Sequence, residues 1–372
     1  MTSQTTTDRI LPYGRQTIGD DDIAAVVDVM RGSWLTQGPT VARFEDALCC
    51  VTGAQHAVAF SNGTAALHAA MWAGRIGPGD VVVTSPLSFV ASANCARYVG
   101  ATPALVDIDA HTLNIDRLSI GDCDALVAVH YAGLPVDLRA LPRRPRVVVE
   151  DAAHALGART PDGPVGNCAR SDMCAFSFHP VKAITTGEGG AVTTNSDDLA
   201  QRLRQFRSHG VVQHADKPGE GGWYYEVEHL GYNYRITDLQ CALGLAQLAK
   251  LSRFVMRRNE LAARYDALLD GLPVERPPAA PDGWRHAYHL YPIRVPERRR
   301  VYDDLRDLGI ATQVHYVPIY RHPLYADLGV TPSDFPATEK VYAGLLSLPI
   351  YPSLTDAEQD RVVDALRGVL PA

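Results

Sequence analysis

A chain of 372 residues, 46% apolar and 21% charged, is long enough for two domains and reads as soluble and globular. Its 35 basic against 42 acidic residues give a formal net charge of −7, which argues against a general nucleic-acid coat. No stretch approaches the ~18 consecutive apolar residues of a membrane span, the polar opening MTSQTTTDRILPYG lacks the apolar core of a signal peptide, and the seven cysteines show no CxxC pair or His/Cys ligand spacing, as expected of reduced thiols in a cytoplasmic protein without a metal site. Ile23, Val26, Val27 and Met30 recur at helical spacing behind Asp20, Asp21 and Asp22, carboxylates that match the positive end of a helix dipole. Seven short apolar runs follow: Ala57–Phe60, Val81–Thr84, Ala104–Val106, Leu126–His130, Val147–Glu150, Cys174–Phe178 and Ala191–Thr194. Several are β-branched without alternation, the pattern of strands buried on both faces. Interleaved with helical patterns, they predict an α/β fold with a mostly parallel sheet and right-handed crossovers.

This large domain, with its N-terminal arm, is assigned to residues 1–245 and a small α+β domain to 246–372. Thr237-Asp-Leu-Gln240 is a capping box opening a helix with Leu239, Leu243 and Leu248, and a charged helix continues to about Leu269. The turn-rich segment from Pro273 to Gly283 breaks the pattern. Beyond it, YHLYPIRV reads as a strand, VYDDLRDLG as a helix and TQVHYVPIY as another strand and loop. Thr355 to Glu358 is a second capping box, ahead of Val362, Val363, Leu366 and Val369.

Chemistry concentrates in AFSFHPVKAITTGEGGAVTT, Ala175 to Thr194. Lys182 stands in an uncharged neighbourhood between two strand runs, where poor hydration disfavours the ammonium form. Such an amine attacks carbonyls to form a Schiff base; an arbitrary lysine reads first as a surface-loop residue, and here Ser177, Pro180 and the glycines beyond weigh against that. Gly187, Gly189 and Gly190 let the backbone pass close to something flat or bulky. Gly63 and Thr64, in SNGT between a strand and a helix, offer N–H groups and a hydroxyl suited to phosphate, or an ordinary helix cap. Ser177 can serve the same phosphate.

Glu150 and Asp151 follow the strand RVVV, and ligands bind at the carboxyl ends of parallel strands. A carboxylate there can pair with a protonated pyridine nitrogen, and His154 lies three residues beyond Asp151, on the same side of a helical turn. A cap and a core-edge histidine are the competing readings. Phe89 is a ring stacker or a core phenylalanine. Gly231-Tyr232-Asn233-Tyr234-Arg235 is a dense polar and aromatic cluster, or a subunit contact. Taken jointly, phosphate donors, a ring-nitrogen carboxylate, an imine-forming lysine and a stacker are what pyridoxal 5'-phosphate (PLP) requires. Neither dinucleotide nor P-loop glycine patterns occur in context, since GEGG opens a strand rather than a helix.

Through TQGPTVARFEDAL, SNGTAAL, EDAAHALGA, FSFHPVK, GEGGAV, LGYNYRITDLQ and HYVPIY, the chain resembles the DegT/DnrJ/EryC1/StrS sugar aminotransferases over nearly its whole length. The resemblance implies the fold type I of PLP-dependent transferases and a homodimer with shared active sites. It implies Lys182 as the Schiff-base lysine, Asp151 as partner of the pyridine nitrogen and His154 near the phenolic oxygen. Gly63, Thr64 and Ser177 match the phosphate donors, Phe89 the stacker, and Asn233 a residue supplied by the neighbouring subunit. Lysine rather than histidine at 182 implies transamination instead of deoxygenation. YGRQTIGDDDI, LTQGPTV, SPLSFVASAN and FHPVKAITTGEGG look most like the carbon-4 aminotransferases of the pseudaminic acid pathway. That implies a ping-pong exchange between glutamate and a UDP-linked 4-keto-6-deoxy-N-acetylhexosamine. A dTDP-sugar aminated at carbon 3 or 4, or a cyclitol, fits most of the same motifs; a non-catalytic regulator and a sugar dehydratase are further alternatives. Arg235, His315, Tyr316 and Tyr320 are substrate-site candidates, with packing or ion pairing as the competing reading.

Overall fold

The computed structural model describes residues 10–213, 219 and 221–371. The apolar runs all become strands: β1 (His56–Phe60), β2 (Val81–Thr84), β3 (Thr102–Leu105), β4 (Ala125–Val129), β5 (Val147–Asp151), then, after a two-residue ribbon β6 (Arg159–Thr160) and β7 (Gly163–Pro164), β8 (Met173–Ser177) and β9 (Gly190–Thr194). They form one seven-stranded sheet in the order β1-β9-β8-β5-β4-β2-β3. All run parallel except β9, which is antiparallel to both neighbours. The expected run Ala104–Val106 lies two residues earlier, because Thr102 pairs with Val81 at the strand's start.

Helices cover both faces. Helices α1 (Asp20–Arg31) and α2 (Pro39–Thr52) precede β1, and α3 (Gly63–Ala73), α4 (Ala91–Tyr98) and α5 (Asp197–Arg207) follow β1, β2 and β9. Val58 and Phe60 of β1 face Ala66, Ala70, Leu203 and Phe206, whereas Ala57 and Ala59 face Phe44, Leu48 and Phe176. A strand so sandwiched has no polar side, which is why these runs do not alternate. Thr237 caps α6 (Asp238–Leu248), as expected of its capping box. The edge ribbon β10 (Val211–Gln213) and β11 (Tyr225–Val227) lies between α5 and α6.

Helix α7 (Leu251–Leu268) joins two cores. Leu251 and Val255 pack with the large sheet, and Leu261 and Tyr265 pack with Tyr291, Ile293, Leu305, Val362 and Leu366. The second core holds the antiparallel pair β12 (Tyr291–Arg294) and β13 (Leu345–Leu348), with α8 (Arg298–Asp307), α9 (Pro336–Gly344) and α10 (Asp356–Val369), the last capped by Thr355. One expectation is corrected here. TQVHYVPIY forms no strand: Gln313 alone bridges to Ser347, and the chain then turns through a short 3-10 segment after Pro318. The partner of β12 is instead the Leu345–Leu348 run. Helix α1 is present, yet among its residues only Asp22 is buried, tied to Lys250 at 2.7 Å and Gln247 at 2.9 Å.

Candidate active site

A cleft of about 770 Å³ opens beyond the carboxyl ends of β5 and β8. Gly63, Thr64, Phe89, Asp151, His154, Ser177, Lys182, His315 and Tyr316 all line it. Thus residues from six separated segments converge at the position where a parallel sheet places ligands.

One end is built by the start of α3. Asn62 caps the helix, its Oδ1 accepting from the Ala65 N–H at 2.8 Å. A Cβ added at Gly63 would lie 2.9 Å from Ser177 Cβ, and one at Gly190 would lie 2.5 Å from the Asn62 carbonyl oxygen. Glycine at both positions therefore lets the helix N-terminus sit directly on β8 and β9, bringing Thr64 and Ser177 together at its positive end. The close approach that Gly190 permits is to backbone rather than to a bound ring.

Asp151 is the last residue of β5 and is buried. Its Oδ2 accepts from Ser92 Oγ at 2.6 Å and its Oδ1 from the Ala153 N–H at 3.1 Å. Ser92 has a single proton, committed to the carboxylate, so Ser88 Oγ, 2.7 Å away, donates to Ser92. The chain of donation runs Ser88 to Ser92 to Asp151 and fixes the carboxylate in place.

Lys182 sits in the β8–β9 connection, which closes on itself through Phe178 N–H to Gly189 O at 2.8 Å and Thr186 N–H to Phe178 O at 3.0 Å. Among the described residues its amine has no ion pair; its polar neighbour is His289, with Nζ 3.5 Å from Nε2. Burial pushes the amine down to about 8, against a smaller upward pull from the Asp151 charge. His154 Nε2 lies 3.0 Å from the Tyr316 hydroxyl, and its buried Nδ1 has no partner. Burial, reinforced by the Lys182 and His315 charges, holds His154 well below the ordinary histidine range. Burial and Lys182 likewise bring His315 down to about 3. His154 and His315 are therefore neutral near pH 7.

A model of the DegT/DnrJ/EryC1/StrS aminotransferase family matches residues 16–367. The chain belongs to this family. It is 39% identical over 379 residues to the spore coat polysaccharide biosynthesis protein SpsC of Bacillus subtilis, covering 97% of both chains. Helicobacter pylori PseC, an aminotransferase involved in the biosynthesis of pseudoaminic acid, is 31% identical with a TM-score of 0.89, over 97% of this chain and 99% of PseC. The putative sugar aminotransferase Spr1654 of Streptococcus pneumoniae, in its PLP form, is 27% identical with a TM-score of 0.88, over 97% of this chain and 100% of Spr1654. The fold is that of PLP-dependent transferases of type I, and the protein is a PLP-dependent sugar aminotransferase.

The residues of this DegT-family chain fit that cofactor. The α3 N-terminus with Thr64 and Ser177 suits a phosphate, and the capped Asp151 carboxylate suits a protonated ring nitrogen. The unpartnered His154 Nδ1 is a buried polar atom in want of a ligand. When bound, PLP supplies an aldehyde for an amine to capture and a protonated ring that accepts an electron pair. Phe89 is 56% exposed, on the cleft wall 5.9 Å from the Tyr316 ring.

Three expected residues do not line this cleft. Tyr320 stacks on Phe335 at 4.4 Å and donates to Glu339 Oε1 at 2.6 Å. One ring face and the hydroxyl are thus engaged within this chain, away from the cleft lining. Asn233 is exposed and bridged to Ser208, and Arg235 is half-buried beside it. Conversely, Ser88, His289 and Tyr13 line the cleft, and Ser92 lies behind it. Ser88 and Ser92 were legible as hydroxyls four apart in SPLSFVASAN; His289, 107 residues from Lys182, carried no local signal.

Proposed function

We propose that the enzyme moves an amino group from glutamate to a nucleotide-linked 4-keto-6-deoxy sugar, most closely a UDP-linked 4-keto-6-deoxy-N-acetylhexosamine. The observation that carries the reaction is the meeting of Lys182 and Asp151 in one cleft, the first with its amine pushed down to about 8 by burial and the second fixed by Ser92 and the Ala153 N–H. The likeness to PseC, an aminotransferase involved in pseudoaminic acid biosynthesis, supports an amino-sugar product, and the motif resemblance points to carbon 4 of a UDP-sugar. Lys182, as an uncharged amine, would take the α proton of the amino donor at Nζ and release it within the first half-reaction, and in the second it would deliver a proton from Nζ to the new carbon–nitrogen centre of the sugar. Positioned proton transfer of this kind contributes ~100- to 10,000-fold. Asp151, fixed by Ser92 and the Ala153 N–H, would pair with the protonated ring nitrogen of the bound cofactor. Gly63, Thr64 and Ser177 anchor the phosphate, Phe89 and His154 orient the ring, and His315 and Tyr316 border the substrate.

The reading includes a homodimer. Among the described residues no arginine lines the cleft, although both substrates are anionic. Asn233 is exposed and does not line this chain's cleft, as expected of a residue serving a second copy. Ile23, Met30, Trp34, Trp223, Tyr225 and Leu230 are exposed apolar side chains that such a copy would cover. The seven unpaired thiols suit the cytoplasm. No described helix is long and apolar enough to cross a membrane.

The test is incubation with UDP- and dTDP-linked 4-keto-6-deoxy sugars, a 3-keto sugar and a cyclitol ketone, each with glutamate or glutamine, read by mass spectrometry and NMR. The expected product is a 4-amino UDP-sugar with 2-oxoglutarate. Amination confined to a dTDP-sugar or a cyclitol would overturn the substrate assignment.

A further inference from the structure

Lys182 has a polar neighbour with no role in the reaction described so far. His289 lines the cleft, is 5% exposed, and places Nε2 3.5 Å from Lys182 Nζ. Its backbone is pinned: the buried Arg258 donates from Nη1 to the carbonyls of Tyr288 at 3.1 Å, His289 at 3.3 Å and Ile350 at 2.8 Å. Its ring rests against His154, centroids 4.4 Å apart. The charged and titratable groups around it are Lys182, His154, Arg258 and His315. No carboxylate is among them, and its Nδ1 is buried without a partner.

This environment separates two possible jobs. A histidine that stores a proton needs an anion behind it; His289 has cations and imidazoles instead, and burial with the Lys182 charge holds it well below the ordinary range. It cannot keep a proton taken from Lys182. A neutral imidazole can, however, accept at Nε2 from the amine in one tautomer and donate to its lone pair in the other. Either way it contacts Nζ without adding charge. A carboxylate in the same place would hold the ammonium form and silence the nucleophile.

We propose that His289 is a positioning residue that aims the Lys182 amine at the aldehyde carbon of the cofactor. The step it assists joins Nζ to that carbon and releases the aldehyde oxygen as water, with the two hydrogens of the uncharged amine leaving in that water. The inference rests on the assignment of Lys182 as the capturing amine.

The test uses full-length apoprotein, wild type, His289→Phe and His289→Gln. Each is mixed with PLP and the rate of covalent capture is followed by absorbance, with borohydride fixation and peptide mapping of the product. Affinity for pyridoxamine phosphate, which has no aldehyde, is measured in parallel by calorimetry. His289→Phe keeps a ring but loses both polar atoms; capture is expected to slow about tenfold, the worth of one hydrogen bond, with pyridoxamine phosphate affinity unchanged. His289→Gln restores an acceptor and a donor and is expected to recover most of the rate. Capture by His289→Phe at the wild-type rate overturns the inference, as do equal losses in both variants or a parallel loss of pyridoxamine phosphate affinity. Wild-type capture at a residue other than 182 defeats the underlying assignment instead.

Discussion

The cofactor cleft and the outer face of α1 with the β10–β11 ribbon use their side chains in opposite ways. In the cleft, each working group is held by its own chain: Asp151 by Ser92, His154 by Tyr316, Lys182 by the closed β8–β9 connection and His289. On the outer face, apolar side chains stand in solvent, with Met30 63% exposed and Trp223 and Leu230 each 79%. The contrast teaches that ring chemistry is assembled within one chain, whereas recognition of anionic substrates is left to a second copy in the function proposed above.

The sharpest way to break this comparison is to remove the amine. Lys182→Ala is expected to lose turnover by more than about a thousandfold, while the fold and pyridoxamine phosphate binding persist; circular dichroism and calorimetry check both. Asp151→Asn removes a charged partner and is expected to cost about 100-fold in proton abstraction, within the range for hydrogen bonds to charged groups. Single-turnover kinetics with glutamate measure it, and an unchanged rate would remove the electron-sink assignment.

Changes on the outer face act through assembly. Trp223→Asp with Leu230→Asp is expected to give monomers in sedimentation, and turnover to fall with the dimer fraction. A fully active monomer would show that the cleft is complete in one chain. Ser92→Ala should weaken PLP binding and slow catalysis about tenfold by loosening Asp151, and Ser92→Thr should restore most of both. The smallest effect is one of pH. The uncharged Lys182 amine is the nucleophile, and its pKa lies at about 8. The rate of PLP capture by apoprotein should therefore rise with pH and level off above about 8; a profile still climbing to pH 10 would place the amine in water instead.

Much of the sheet was legible because strands sandwiched between helices must be apolar on both sides, and runs such as ALVAV and VVVED carry that mark. Strand β13 was not, since LLSL follows α9 directly after its last residue, Gly344, and looks like its continuation. The α1 pattern announced a helix but not its partner, for periodicity reports a stripe and not what covers it. Within the cleft, residues next to strand ends were readable from chain position. His289 and the Ser92 contact depend on folding across long separations, and the HYVPIY motif does not reveal that the Tyr320 ring turns toward Phe335.

The central claim is that one amine, Lys182, captures PLP. The sequence contains only four lysines, Lys182, Lys217, Lys250 and Lys340, so borohydride reduction of PLP-saturated protein followed by peptide mapping decides it. The expected result is a single reduced adduct on the peptide containing Lys182, absent from Lys182→Ala. An adduct on one of the other three lysines, or none at all, would contradict the account.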